Sequence, residues 1–214
     1  MRERRQSSGP APRSRPGRSR VGSDRAGEGK ALRLFLAVDV PKDVKESLAR
    51  TIAPLVDRLP PARWTNQEGW HVTLKFLGAT WPRLLSQVQQ AARAAAGASE
   101  AFQTSLAEVG SFPTSSRARV LWAGLTDPEG RFDRLVKALD RELADHFVAE
   151  KRAFTPHLTL ARINPPVDLR KVAPELVGMP LHARPFAVER LVLYQSHLSP
   201  RGARYEALHE FELG

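Results

Sequence analysis

The pattern of apolar residues along this chain predicts an α+β fold built on mainly antiparallel sheet. Strand and helix periodicities follow one another irregularly, as strand, helix, strand, helix, two strands, helix and then further strands, and the strands are short. No Gly-x-Gly-x-x-Gly or Walker-type loop joins a strand to a helix, which removes the usual signs of a parallel nucleotide-binding sheet. A length of 214 residues suits one domain or two small lobes.

Leu32 to Val38 is a short apolar run and reads as a buried strand. Pro41 suits a helix start, and Val44, Leu48, Ile52, Leu55 and Val56 recur at helical spacing, predicting a helix over 42–57 that Pro60-Pro61 end. Trp70 to Leu77 alternates as a strand and Leu84 to Ala96 reads as an Ala-rich helix. Phe102 to Val109 and Arg119 to Gly124 are two more strands. Asp127-Pro128 opens a helix running to Phe147, with Phe132, Leu135, Val136, Leu139 and Leu143 on one face. Strands close the chain near 157–163, 186–195 and 203–211.

Composition narrows the chemistry. There is no Cys, so disulfides, cysteine-liganded zinc and thiol nucleophiles are excluded. The longest apolar runs fall far short of the ~18–20 residues needed to cross a bilayer, and no secretory or amphipathic transit segment precedes Lys30, so a soluble, cytoplasmic protein is expected. The net charge is +10, and residues 1–30 supply a disproportionate share of it with eight Arg and one Lys. Their Arg, Ser, Gly and Pro bias leaves little apolar surface to offset ordering, which predicts a disordered tail over 1–30 and a single folded unit over 31–214.

One pattern occurs twice. His71-Val72-Thr73-Leu74 and His157-Leu158-Thr159-Leu160 each place an imidazole and a hydroxyl on one side of a strand and two apolar residues on the other. Brought together, two such strands line a cleft with two His and two Thr. Imidazole titrates near neutrality, so a pair can remove a proton from an attacking oxygen and return one to a leaving oxygen at phosphorus. Thr73 and Thr159 can hold nonbridging oxygens, and Arg162 can add a fork of donors. Strict alternation puts Arg162 on the face opposite His157, so its participation requires a bend or bulge.

These paired motifs, with Leu32–Asp39, Arg63-Trp64, Arg119-Val-Leu-Trp122 and Ser199 to Glu206, resemble the 2H phosphoesterases, specifically the RNA 2′,3′-cyclic phosphodiesterases also called 2′-5′ RNA ligases. The resemblance spans essentially 31–214. It implies a bilobal fold of two pseudo-symmetric lobes, mainly antiparallel sheet with outer helices around a central groove. It also implies metal-independent opening of RNA 2′,3′-cyclic phosphate ends to 2′-phosphomonoesters, with reversible 2′-5′ ligation as a second activity. No cofactor and a monomer are expected. By position, His71 is implied as proton donor to the leaving 3′ oxygen and His157 as proton acceptor, with Thr73, Thr159 and Arg162 holding phosphate. Trp70 and Gln67-Glu68-Gly69 depart from the family's usual residues, which leaves substrate preference open.

Two alternatives stay open at this point: a non-catalytic RNA-binding protein using the groove and tail, and a 2H enzyme acting on another cyclic or 2′-5′ linked nucleotide. His146, His182, His197 and His209 form no ligand spacing, so no metal site is expected. Phe35, Trp64, Trp70 and Trp122 read as core, with base stacking as the other use; Arg117, Arg119, Arg201 and Arg204 read as solvated charges.

Overall fold

The computed structural model describes residues 29–59, 62–199 and 202–214. The tail reading for 1–28, the Pro60-Pro61 helix stop and Arg201 lie outside the described residues.

The first half runs β1 (Leu32–Asp39), α1 (Lys42–Ile52), β2 (Ala62–Trp64), β3 (His71–Thr80), α2 (Leu85–Gly97), β4 (Phe102–Thr104) and β5 (Leu106–Phe112). The second half runs β6 (Ala118–Leu125), α3 (Arg131–Glu142), β7 (His157–Val167), α4 (Leu169–Val172), β8 (Phe186–Val188), β9 (Arg190–Ser199) and β10 (Gly202–Glu212). One antiparallel sheet has the order β10-β9-β1-β3, a second has β2-β7-β6-β5, and β4 pairs with β8 alone. The trio β9-β1-β3 and the trio β5-β6-β7 correspond: each ends on the strand that begins with a His-x-Thr-Leu motif. That is the two-lobed α+β arrangement expected from the sequence.

Several boundaries differ, each for a local reason. The first helix stops at Ile52 and tightens to a 3-10 turn, Ala53–Arg58, because Pro54 cannot donate the next helical bond. The apolar pattern from Phe102 to Val109 is two strands in different sheets, with the break at Ser105. The third helix ends at Glu142; Leu143 is buried in its own turn, which prolonged the helical pattern without prolonging the helix. Asp127 caps it across a kink, accepting from the backbone N–H of Phe132 at 2.8 Å and of Asp133 at 3.3 Å. The span 186–195 divides between β8 and β9.

One continuous apolar cluster joins the core faces of both sheets with Val44 and Leu48 of α1, Val88 and Ala92 of α2, and Phe132, Leu135 and Leu139 of α3. Leu34, Leu36 and Val38 of β1 enter it, as do Val72, Leu74, Leu158 and Leu160 beside the motifs. Burial of each such side chain contributes about 1.5–3 kcal/mol, so the residues between the motif histidines and threonines hold the motif strands in place. Lys75 is buried too, paired with Asp140 of α3 and donating to the Val148 carbonyl at 2.9 Å.

Candidate active site

His71 is the first residue of β3 and His157 the first of β7. In each strand His and Thr are half-buried on one face, and the residues between and after them are fully covered. Just past each Thr the ladder slips by one residue. Ala37 pairs with Thr73 but Leu36 with Lys75; Trp122 pairs with Thr159 but Leu121 with Ala161. A bulge inserts one extra residue and resets the alternation. The residue five beyond each His therefore returns to the His face. In β7 that residue is Arg162, which is exposed, and in β3 it is Phe76, 59% exposed.

A short hydrogen-bonded path ties one motif to the other. After β2 pairs with β7, the chain crosses to β3 through residues 65–70. Thr65 donates its backbone N–H to the Leu160 carbonyl at 2.9 Å, and its hydroxyl hydrogen is shared between the carbonyls of Thr159, 2.8 Å, and Leu160, 2.9 Å. The same hydroxyl accepts from Trp70 Nε1 at 2.8 Å. Trp70 precedes His71 and Thr159 follows His157 by two, so the path fixes the two motifs relative to each other, and β3 packs beside β7.

Each imidazole sits in an aromatic frame. His71 stacks on Phe35, centroids 4.8 Å apart, with Tyr194 at 5.8 Å and the edge of Tyr205 at 4.9 Å. His157 meets Phe112 edge-on at 5.0 Å and Trp122 at 6.1 Å. Tyr205 can reach this position because Gly69 carries no side chain: a Cβ there would lie 3.1 Å from the ring. Gly110 leaves room for Trp122 in the same way, since a Cβ would fall 2.1 Å from the indole. A cavity of about 300 Å³ opens behind Trp122, lined by Glu108, Ser111 and Leu176 among others. Neither histidine lines it; the imidazoles lie on the half-buried faces of β3 and β7.

The two halves differ electrostatically. Asp39 is the cross-strand partner of His71 and accepts from the Tyr194 hydroxyl at 2.8 Å, whereas Gly124 is the partner of His157. Burial pushes the His71 imidazole down to about 4, against the Gly69 carbonyl and the Asp39 carboxylate, which favour its charged form. Burial also lowers His157, opposed by the Thr155 carbonyl. That carbonyl lies 2.7 Å from Nδ1, which makes Nδ1 the protonated nitrogen of the neutral ring and leaves Nε2 for a ligand. Burial and the neighbouring Asp39 carboxylate raise the Tyr194 phenol above its ordinary range.

All five residues anticipated from sequence thus fall on the motif faces of two adjoining strands. The aromatic frame was not anticipated: Trp122 and Phe35 read first as core, Asp39 and Tyr205 stood in the segments that carry the resemblance without a role, and Phe112, Tyr194 and Thr65 carried no signal of their own. Of the four remaining histidines, His197 pairs with Glu206 at 2.9 Å and His209 lies 3.3 Å from Arg93. Among the described residues no three His, Asp or Glu side chains gather as metal ligands, and no helix is long and apolar enough to cross a membrane.

Comparison with known proteins gives a consistent result. A family model described as the 2′-5′ RNA ligase superfamily matches residues 44–200. A protein of Methanothermobacter thermautotrophicus named RNA 2′,3′-cyclic phosphodiesterase is 30% identical over 184 residues, 85% of this chain and 99% of its own. The crystal structure of a Thermus thermophilus protein superposes with a TM-score of 0.71 at 28% identity, covering 85% of this chain and 98% of that one. Escherichia coli LigT complexed with 3′-AMP superposes at 0.68 with 26% identity, covering 86% and 99%. With two His-x-Thr-Leu strands adjoining in this way, and the match extending over most of its length, the chain belongs to the 2′-5′ RNA ligase superfamily.

Proposed function

We propose that this protein is a metal-independent RNA 2′,3′-cyclic phosphodiesterase that opens terminal cyclic phosphates to 2′-phosphomonoesters. The observation that carries the reading is the pair of His and Thr faces on β3 and β7, tied together through Thr65, in a chain whose relatives bear that name. Water attacks phosphorus as His157 Nε2 takes its proton; the P–O3′ bond breaks and His71 protonates O3′, while O2′ keeps the phosphoryl group. Thr73, Thr159 and Arg162 hold the nonbridging oxygens as charge builds on them. When a ribose 5′-hydroxyl replaces water, the same proton transfers form a 2′-5′ phosphodiester, and the step is reversible.

Both imidazoles are neutral in the empty site at neutral pH. An arriving phosphate anion favours the charged form of both rings; at His71 the Asp39 carboxylate adds to that and the Lys45 ammonium opposes it. The donor set of two imidazoles, two hydroxyls and a guanidinium completes the reaction without a metal or cofactor. The reading extends to a monomer acting on RNA or nucleotide ends in the cytoplasm, with residues 31–214 carrying the reaction; light scattering tests the monomer, and deletion of 1–30 should leave turnover intact. The deciding experiment incubates the protein and EDTA with an oligonucleotide ending in a 2′,3′-cyclic phosphate. A 2′-phosphate product supports the proposal; a 3′-phosphate product, or a metal requirement, overturns it.

A further inference from the structure

Arg63 lies in β2 directly across from Arg162 in β7. Cross-strand partners share a face, so Arg63 projects on the same side as Arg162, and both are exposed. Its neighbour Trp64 pairs with buried Ala161, which keeps the opposite alternation on the core side. Two guanidiniums facing each other across a ladder repel, and natural pairs favour opposite charge at such positions. Neither has a carboxylate partner among the described residues, whereas eight other arginines do. Arg63 also reaches toward the other sheet: a Cβ built on Gly202, at the start of β10, would lie 3.5 Å from Arg63 Nη2. Tyr205, three residues further along β10, touches His71. A cation thus stands between the sheet of β7 and the start of β10, next to the arginine already assigned to the reacting phosphate, with no carboxylate opposing it among the described residues.

We infer that Arg63 binds a second phosphate, the backbone phosphodiester adjoining the reacting cyclic phosphate, and that the site is therefore built for oligonucleotide ends in preference to mononucleotides. This rests on the function proposed above. A planar fork of donors suits a phosphodiester, and two successive substrate phosphates, one on each guanidinium, offset the repulsion between the paired arginines.

The test compares a nucleoside 2′,3′-cyclic phosphate with an oligonucleotide ending in the same nucleotide, using wild-type protein and Arg63→Ala, Arg63→Gln and Arg63→Lys. For Ala and Gln, kcat/KM on the oligonucleotide should fall about tenfold or more and its log–log salt slope should shrink by about 1, the signature of one lost phosphate contact. The mononucleotide should be turned over as by wild type, Lys should restore part of the oligonucleotide rate, and the thermal midpoint should not drop. An equal fall on both substrates would assign Arg63 to the reacting phosphate and overturn the inference, as would no change on either. If wild-type protein hydrolyses neither substrate, the proposed function fails; Arg63 is then tested by salt-dependent binding of a 2′-phosphate-ended oligonucleotide, where an unchanged affinity in Arg63→Ala overturns it.

Discussion

Acid should destabilise this protein through His71, and replacing His71 should remove that sensitivity. The ring is held neutral by burial, its pKa lowered from 6.5 to about 4. Above the ordinary imidazole range both folded and unfolded chains leave this site uncharged, so it adds no pH dependence. As pH falls from 6.5 toward 4, the unfolded chain takes up a proton that the folded chain does not, and unfolding becomes progressively easier. Each pKa unit is worth about 1.4 kcal/mol, so the full loss, complete once pH drops through the folded value, is about 3 kcal/mol. That is a large part of the net stability of about 5–15 kcal/mol typical of a domain. Urea unfolding of wild type and His71→Ala from about pH 7.5 to about pH 4 measures it. The variant should be weaker at neutral pH, having lost the stack on Phe35, but the gap should close by up to about 3 kcal/mol on acidification. Carboxylates titrate in both proteins and cancel in the difference. Parallel curves, with a constant gap, would refute the argument that His71 is buried neutral.

The same depressed imidazoles govern the rate: kcat/KM, which reports the free enzyme, should peak below pH 6.5 and decline toward neutrality, as a pH–rate series will show. Gly110→Ala would drive a methyl into the Trp122 indole; a loss of about 1–3 kcal/mol is expected by denaturant titration, with slower turnover because that ring touches His157. Asp140→Asn should cost more than Lys75→Met in the same titration, about 3–5 kcal/mol, because it leaves the buried Lys75 ammonium without its counter-charge.

The elements that could be read from sequence are those whose signal is local. β1, β3, α2 and β10 announce themselves through periodicity, and the two motifs through repetition. β2 could not be read: three residues carry no period, and it exists because the chain crossing between the sheets is bonded to Leu160 at Thr65. The bulges were equally hidden. They show afterwards as consecutive covered residues, Leu74-Lys75 and Leu160-Ala161, but a lysine at a covered position looked polar until Asp140 supplied its partner. Strict alternation put Arg162 on the face opposite His157, and the ladder slip past Thr159 is the bulge that its participation required. Trp122 was ambiguous for a related reason. Its ring is sheltered by glycines on and beside its own strand, Gly124 and Gly110, so it packs like core while facing His157. Such a neighbourhood becomes visible only once β5 and β6 are paired.

The division of labour between the two histidines can be separated by changing the leaving atom. A cyclic phosphorothiolate with sulfur in place of O3′ departs as a thiolate and needs no proton. Against the normal substrate, His71→Ala and His157→Ala should each lose on the order of 10²–10⁴-fold in turnover. Against the sulfur substrate His71→Ala should recover to near the wild-type rate while His157→Ala stays slow. Recovery of His157→Ala instead, or of neither variant, would contradict the assignment of one ring to each side of the phosphorus.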